Sequence, residues 1–152
     1  MAASARRLLT AQALPLLRAL LQRAEDVEDR YIPLLLWWAV ETHVRRDRVA
    51  TVSLLEDPAL RRAPLVRAHL LTRVMRRFAQ AGTQEDLQLC ARLLAACQDP
   101  EEVRRSLEGF QQAYEGRSVA DLPPELVRAL VDSGAASLEL RVRIGDADAI
   151  VD

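Results

Sequence analysis

The chain has 152 residues, half of them hydrophobic, with 21 basic and 22 acidic side chains and a formal net charge of −1. That length and apolar content are enough to bury a core, and the basic stretches ETHVRRDR and RRAPLVRAHLLTRVMRRF lack the interleaved aromatics or Gly of a nucleic-acid binder. Aromatic residues make up 4% and Gly totals 5, while Leu and Ala together supply about a third, a mixture that favours helix over sheet.

Every basic residue is Arg, and Lys and Asn are both absent. The codons of those two residues are A-rich, so a GC-rich genome accounts for the bias without invoking phosphate recognition. The charges are unevenly spread: 5 Arg against 5 acids from Met1 to Thr42, 9 against 3 from His43 to Gln80, and 7 against 14 thereafter. Such asymmetry marks either a docking surface for an anionic partner or, more commonly, a solvated face answered by its neighbour.

From Ser4 to about Ala24, Leu9, Ala13, Leu16, Leu17, Leu20 and Leu21 recur at three and four, a helix period. Pro15 removes an internal hydrogen bond and predicts a kink or a restart there. The twin arginines before this stretch weakly resemble an export signal. Gln12 and Arg18 interrupt the apolar run and no small-residue cleavage site follows, so an amphipathic helix is the better reading. The acidic turn at Glu25–Asp29 then supplies Asp26 or Asp29 to cap the next helix. Pro33 is tolerated in its first turn, and Ile32–Val40 is apolar throughout, including Trp37 and Trp38. This run predicts a helix ending near Arg46 and buried on most sides, with Trp37 largely covered and Trp38 also inside. The alternative makes one Trp an anchor in a protein interface.

Val49–Glu56 reads as another short helix, or as a continuation of the preceding one after a bend at Asp47. Asp57-Pro58 opens a longer one to Ala81, in which Val66, Leu70, Val74 and Phe78 step by four with Leu71 and Met75 beside them. Pro64 bends or breaks it, and Gly82 ends it. Thr83 caps the following helix, with Glu85 and Asp86 in its first turn and Leu87, Cys90, Leu94 and Cys97 along one face. Asp99-Pro100 starts another helix, with Val103, Leu107, Phe110 and Tyr114 inward. Pro123-Pro124 starts a further one, with Leu126, Val127, Leu130 and Val131 on its core face and Gly134 at its end. Ser137–Gly145 alternates like a strand but has no partner strand, so it is read as helix. Asp146 is placed to cap a helix beyond it, as in a fragment of a longer array.

The elements predict an all-α fold over residues 1–152, read as one domain: a HEAT-like solenoid of stacked antiparallel helix pairs, or alternatively a compact orthogonal bundle.

Motifs for chemistry are sparse. Cys90 and Cys97 would lie about 10 Å apart along a helix, beyond the roughly 7 Å a disulfide allows, and read as two buried free thiols. Neither belongs to a CxxCH haem site, and two Cys with two distant His supply no zinc set. His43 near Glu41 admits a base oriented by a carboxylate, although a polar helix terminus is the plainer reading. His69 reads as a packing residue. No run approaches the twenty or so apolar residues that span a bilayer. No catalytic, metal or cofactor-binding residue is therefore assigned. The candidate interaction surface comprises Trp38, Arg45, Arg46, Arg73, Arg76 and Arg77, with protein rather than nucleic acid as the expected partner.

The strings DRYIPLLLWWAVE, DPALRRAPLVRAHLLTRVMRRFAQAGT, LQLCARLLAAC and LEGFQQAYEGRSVADLPPEL resemble the helical, HEAT-like region of very large proteins of planctomycetes and their relatives. Those proteins are described as membrane-bound dehydrogenases with haem-binding domains. The resemblance covers roughly Ala13 to Gly145. It implies a spacer between an N-terminal propeller-type dehydrogenase-like domain and a C-terminal cytochrome c domain, exported to the periplasm. It transfers no catalytic residue, since the redox machinery belongs to those other domains. The function expected is thus a non-catalytic scaffold or protein-interaction domain. The alternatives are an accessory module of a redox enzyme acting through His43, Glu41 or the Trp pair, and an Arg-rich binder of an anionic partner.

Overall fold

A computed structural model describes residues 1–118 and 121–134. The strand-like Ser137–Gly145 stretch and the Asp146 cap lie outside the described residues. Within those described, every regular element is helical. The chain divides after Arg73 into two compact units, Met1–Arg73 and Val74–Asp152.

The first unit contains α1 (Ala2–Ala5), α2 (Thr10–Leu21), a 3-10 turn (Ala24–Asp26), α3 (Ile32–Arg46), α4 (Arg48–Leu55), α5 (Pro58–Arg61) and a π turn (Val66–Leu70). α3 is its hub and packs against α1, α2, α4 and the π turn. Ala13, Leu17 and Leu21 of α2, Leu36, Ala39 and Val40 of α3, and Val52 and Leu55 of α4 are at most 1% exposed. Each such Leu or Val contributes about 1.5–3 kcal/mol of burial.

Short-range chemistry sets the helix starts. Asp29 Oδ1 accepts from the N–H groups of Tyr31 and Ile32, both at 2.8 Å, and Pro33 occupies the first turn of α3. Asp47 accepts from Ala50 N at 3.0 Å to open α4. Asp57 does the same for α5 through Ala59 N at 2.7 Å and is ion-paired with Arg18 of α2. Arg61 is fully buried, and its guanidinium donates to Leu55 O at 3.3 Å, satisfying a carbonyl at the end of α4.

Pro15 does not interrupt its helix: α2 runs through it, and the break lies earlier, between Ala5 and Thr10. Pro15 is exposed, so the carbonyl it leaves unbonded four residues back, at the exposed Ala11, has solvent available. Pro64 breaks the chain as expected. α5 stops at Arg61, and helix resumes at Pro64 through the π turn.

α6 (Leu71–Ala81) crosses the division, and the second unit continues with α7 (Gln84–Ala95), α8 (Pro100–Tyr114) and α9 (Pro124–Asp132). α7 packs against α8 and α9. The stripe Val66, Leu70, Leu71, Val74, Met75 and Phe78 is buried throughout. Gly82 ends α6 with φ +66°, a conformation costly for any residue with a Cβ. Arg117 donates to the carbonyls of Ala79 and Gln80 at that terminus, and its guanidinium lies 4.8 Å from the Tyr114 ring centroid. Thr83 caps α7 by accepting from Asp86 N at 3.1 Å, and its hydroxyl in turn donates to Asp86 Oδ2 at 2.7 Å. Asp99 caps α8 by accepting from Glu102 N at 3.0 Å, and the Glu102 carboxylate reaches back to accept from Gln98 N, one residue before the cap, at 3.1 Å.

Three packing expectations in this unit change, the first at Val103 of α8, which is only partly covered. Cys97 falls beyond the end of α7 and is half-buried rather than buried on its face, while Cys90 is buried as expected; both are free thiols. On α9 Leu126 and Leu130 are buried, whereas Val127 and Val131 are only partly covered.

Candidate functional site: the outer face of α3

α3 is two-faced despite its unbroken apolar run. Pro33, Leu36, Ala39, Val40, His43 and Val44 are buried. The opposite side carries Tyr31, at the N-cap, 62% exposed, Leu34 at 38%, Leu35 at 36% and Trp38 at 42%. These positions recur at three and four, and at 100° per residue they form one longitudinal stripe. The expectation of a helix buried on most sides, with Trp38 also inside, is therefore corrected: Trp38 faces out, while Trp37 beside it is intermediate, neither fully buried nor exposed. The cause is positional: α3 has neighbours along one side, and a continuous apolar sequence cannot say which side that will be.

With aromatic side-chain areas of roughly 150–250 Å² as the scale, these exposures amount to about 300–400 Å² of apolar surface. That equals the largest patch on a typical monomer, which is often functional. The stripe ends in a shallow cavity of about 360 Å³ lined by Arg6, Trp38, Glu41, Thr42 and Arg45. Arg45 and Arg46 are exposed at the C-terminal end of α3, and Arg6 and Arg7 are exposed beyond α1. Arg46 donates to the carbonyls of Arg6 and Leu8 at 3.1 and 2.9 Å, which holds the α1–α2 connection against this end of α3. At the other end stand Glu25, Asp26, Glu28 and Asp29, and Arg30 places its guanidinium 5.4 Å from the Tyr31 ring centroid. The backbone N–H groups of Ile32 and Tyr31 hold the Asp29 carboxyl below its usual range.

His43 belongs to the inner face. It is fully buried, with Nε2 2.8 Å from Ala5 O and Nδ1 3.1 Å from Thr10 Oγ1. A carbonyl can only accept, so Nε2 carries the proton toward Ala5 and, in the neutral ring, Nδ1 accepts from the Thr10 hydroxyl. The imidazole thereby bolts α1 and the start of α2 to α3, and both of its nitrogens are engaged within the fold. His69 donates from Nε2 to Val27 O at 2.8 Å, tying the π turn to the acidic lead-in of α3.

The chain matches no family model, no curated protein and no solved structure. The resemblance to the multidomain dehydrogenases rests on the four sequence strings alone.

Of the six residues expected to form an interaction surface, Trp38, Arg45 and Arg46 share the exposed end of α3. Arg73, Arg76 and Arg77 lie on α6, where Arg76 is exposed and Arg73 and Arg77 are partly covered. Arg73 has one buried guanidinium nitrogen without a hydrogen-bond partner. Sequence reasoning missed Tyr31, Leu34 and Leu35. The signal available was their three-and-four spacing with Trp38, continued by the polar Thr42 and Arg45.

A second cavity, about 740 Å³, opens in the second unit beside α7 and α9, with Ala91, Leu94 and Ala129 among its apolar lining. Arg92 and Arg128 on its wall are balanced by Glu125 and Asp132. Among the described residues no group of three His, Cys, Asp or Glu side chains is arranged to hold a metal ion, and no helix is long and apolar enough to cross a membrane.

Proposed function

We propose that this chain is a non-catalytic helical scaffold whose contact surface is the outer face of α3. The observation that carries this reading is the exposed stripe Tyr31, Leu34, Leu35 and Trp38 on a helix whose other side is fully engaged in the core. Leaving four large apolar side chains in water brings no folding benefit, and Trp and Tyr are the residues that anchor protein interfaces. The helix pairs are read as a HEAT-like stack, with an orthogonal bundle as the alternative arrangement. The resemblance to the multidomain dehydrogenases makes flanking propeller-type and cytochrome c domains the first partners to test. The engagement of both His43 nitrogens supports a structural rather than an accessory redox role for that residue.

A photo-crosslinking amino acid at position 38, compared with one at the exposed position Gln112 of α8, tests the proposal in cells of the native source. Protein adducts are expected from position 38 alone and should disappear when Leu35→Arg is added. Equal adduct yields at the two positions, or none at position 38, would overturn it.

A further inference from the structure

The stripe has a symmetry that a generic apolar patch lacks. From the N-cap of α3 onward, Tyr31, Leu35, Trp38 and Thr42 are separated by four, three and four residues. That spacing reads identically from either end and is the seam period of two helices packed side by side. The stripe's flanks differ in charge: the lead-in before Tyr31 is net acidic, with Glu25, Asp26, Glu28 and Asp29 against Arg23 and Arg30, and the exposed Arg45 and Arg46 follow Thr42. We propose that the stripe, which the interaction reading makes the contact surface, is covered by a second copy of this chain, with α3 lying antiparallel on α3.

An antiparallel copy sets position 31 opposite 42 and 35 opposite 38, and brings Arg45 toward the turn that carries Glu28. Leu35 then meets Trp38 of the second copy twice, once on each side of the two-fold axis, as an isologous contact requires. Tyr31 comes over Thr42 of the second copy, at the mouth of the cavity lined by Arg6, Trp38, Glu41, Thr42 and Arg45. The acidic lead-in of each copy faces the Arg45 end of the other, and the opposed helix dipoles favour the same orientation.

Other occupants satisfy only half of this pattern. An anionic membrane surface would attract Arg45 but repel the net-acidic lead-in, where Glu28 and Asp29 outnumber Arg30 beside Tyr31, and an acidic partner helix meets the same conflict. A second copy answers both ends at once. The apolar stripe supplies roughly half of the 800 Å² or so per partner that a standard interface buries, so the charged ends must contribute and the dimer should be reversible, with dissociation in the range of about 10–100 μM.

Sedimentation velocity of the full chain from about 1 to 300 μM, bracketing that range, gives the test. The unmodified protein is expected to pass from monomer to dimer. Trp38→Arg should raise the dissociation constant about a hundredfold, as loss of an anchor on both sides would. Glu28→Arg and Arg45→Glu, both at exposed positions, should each raise it about tenfold. An equimolar mixture of those two variants restores opposite charges at both ends, so its association should return to near the unmodified value. A protein that stays monomeric to the highest concentration, or charge variants that fail to rescue each other, would overturn the proposal. If such a monomer still gives adducts of another protein from position 38, the interaction reading survives and self-association falls. If it binds anionic phospholipid vesicles and gives no protein adducts, both fall.

Discussion

Replacing His43 with Leu keeps the side chain's bulk and removes both of its hydrogen bonds. The structure allows the cost to be apportioned. Ala5 is fully buried, so its carbonyl loses its 2.8 Å partner with no water to replace it, a penalty of about 1–3 kcal/mol. Thr10 is only partly covered, so its hydroxyl can turn to solvent and forfeits only the net value of one hydrogen bond, about 0.5–1.5 kcal/mol. The added apolar surface offsets about 1 kcal/mol. The net loss is therefore about 1–3 kcal/mol, a large share of the roughly 5–15 kcal/mol that holds a domain together. With a urea slope of about 1–3 kcal/mol per molar, the midpoint followed by circular dichroism should fall by about 1 M. Thr10→Val alone should lose less, and in the double variant the two losses should fail to add by about 1 kcal/mol. A midpoint unchanged by His43→Leu, or losses that add fully, would refute the assignment of His43 as a bolt between helices.

Two further outcomes follow from the second unit. Burial pushes the Cys90 thiol well above its ordinary range, with the neighbouring Asp86 carboxylate adding to the shift, while Cys97 is half-buried at the end of α7. In native protein a thiol reagent should therefore modify Cys97 first and reach Cys90 only on unfolding, as peptide mapping of the adducts would show; prompt labelling of Cys90 would count against its placement. Hydrogen bonds from Arg104 and then Arg105 lower the Glu101 carboxyl from 4.5 to about 2, with Arg104 Nε and Nη2 at 2.9 and 2.7 Å and Arg105 Nε at 2.9 Å. Because the folded value lies below the unfolded one, any stability Glu101 contributes is present above pH 4.5 and is lost as the pH falls through about 2. An NMR titration should give a midpoint near the lower value, and a midpoint near 4.5 would exclude the paired geometry.

The helix starts at Asp29, Asp57, Thr83 and Asp99 were legible in the sequence because capping is decided within about four residues of chain, whereas Asp47, which caps α4, read only as a bend. The core stripe ending in Phe78 was legible for a related reason, since its period alone selects a face. Burial that depends on distant neighbours was not. Nothing local distinguishes Leu36, which is covered, from Leu35, which is not; the difference arises because α1, α2 and α4 gather on one side of α3. The buried roles of His43 and Arg61 were hidden for the same reason, since their acceptors are main-chain carbonyls that carry no sequence signature. For the candidate site, the sequence picked out Trp38, Arg45 and Arg46 but not the three apolar residues that join them into a stripe.

The two tryptophans of the chain are adjacent on α3, and this gives the molecule an optical asymmetry. Emission excited selectively from indole reports on the first unit, whereas the second unit contributes helical signal without any tryptophan. Trp38, exposed on the stripe, should shift its emission to the blue whenever that face is covered, so association can be read without an added label. Denaturation curves from indole emission and from helical content superimpose only when both units melt together. Any gap between them measures how independently the second unit unfolds.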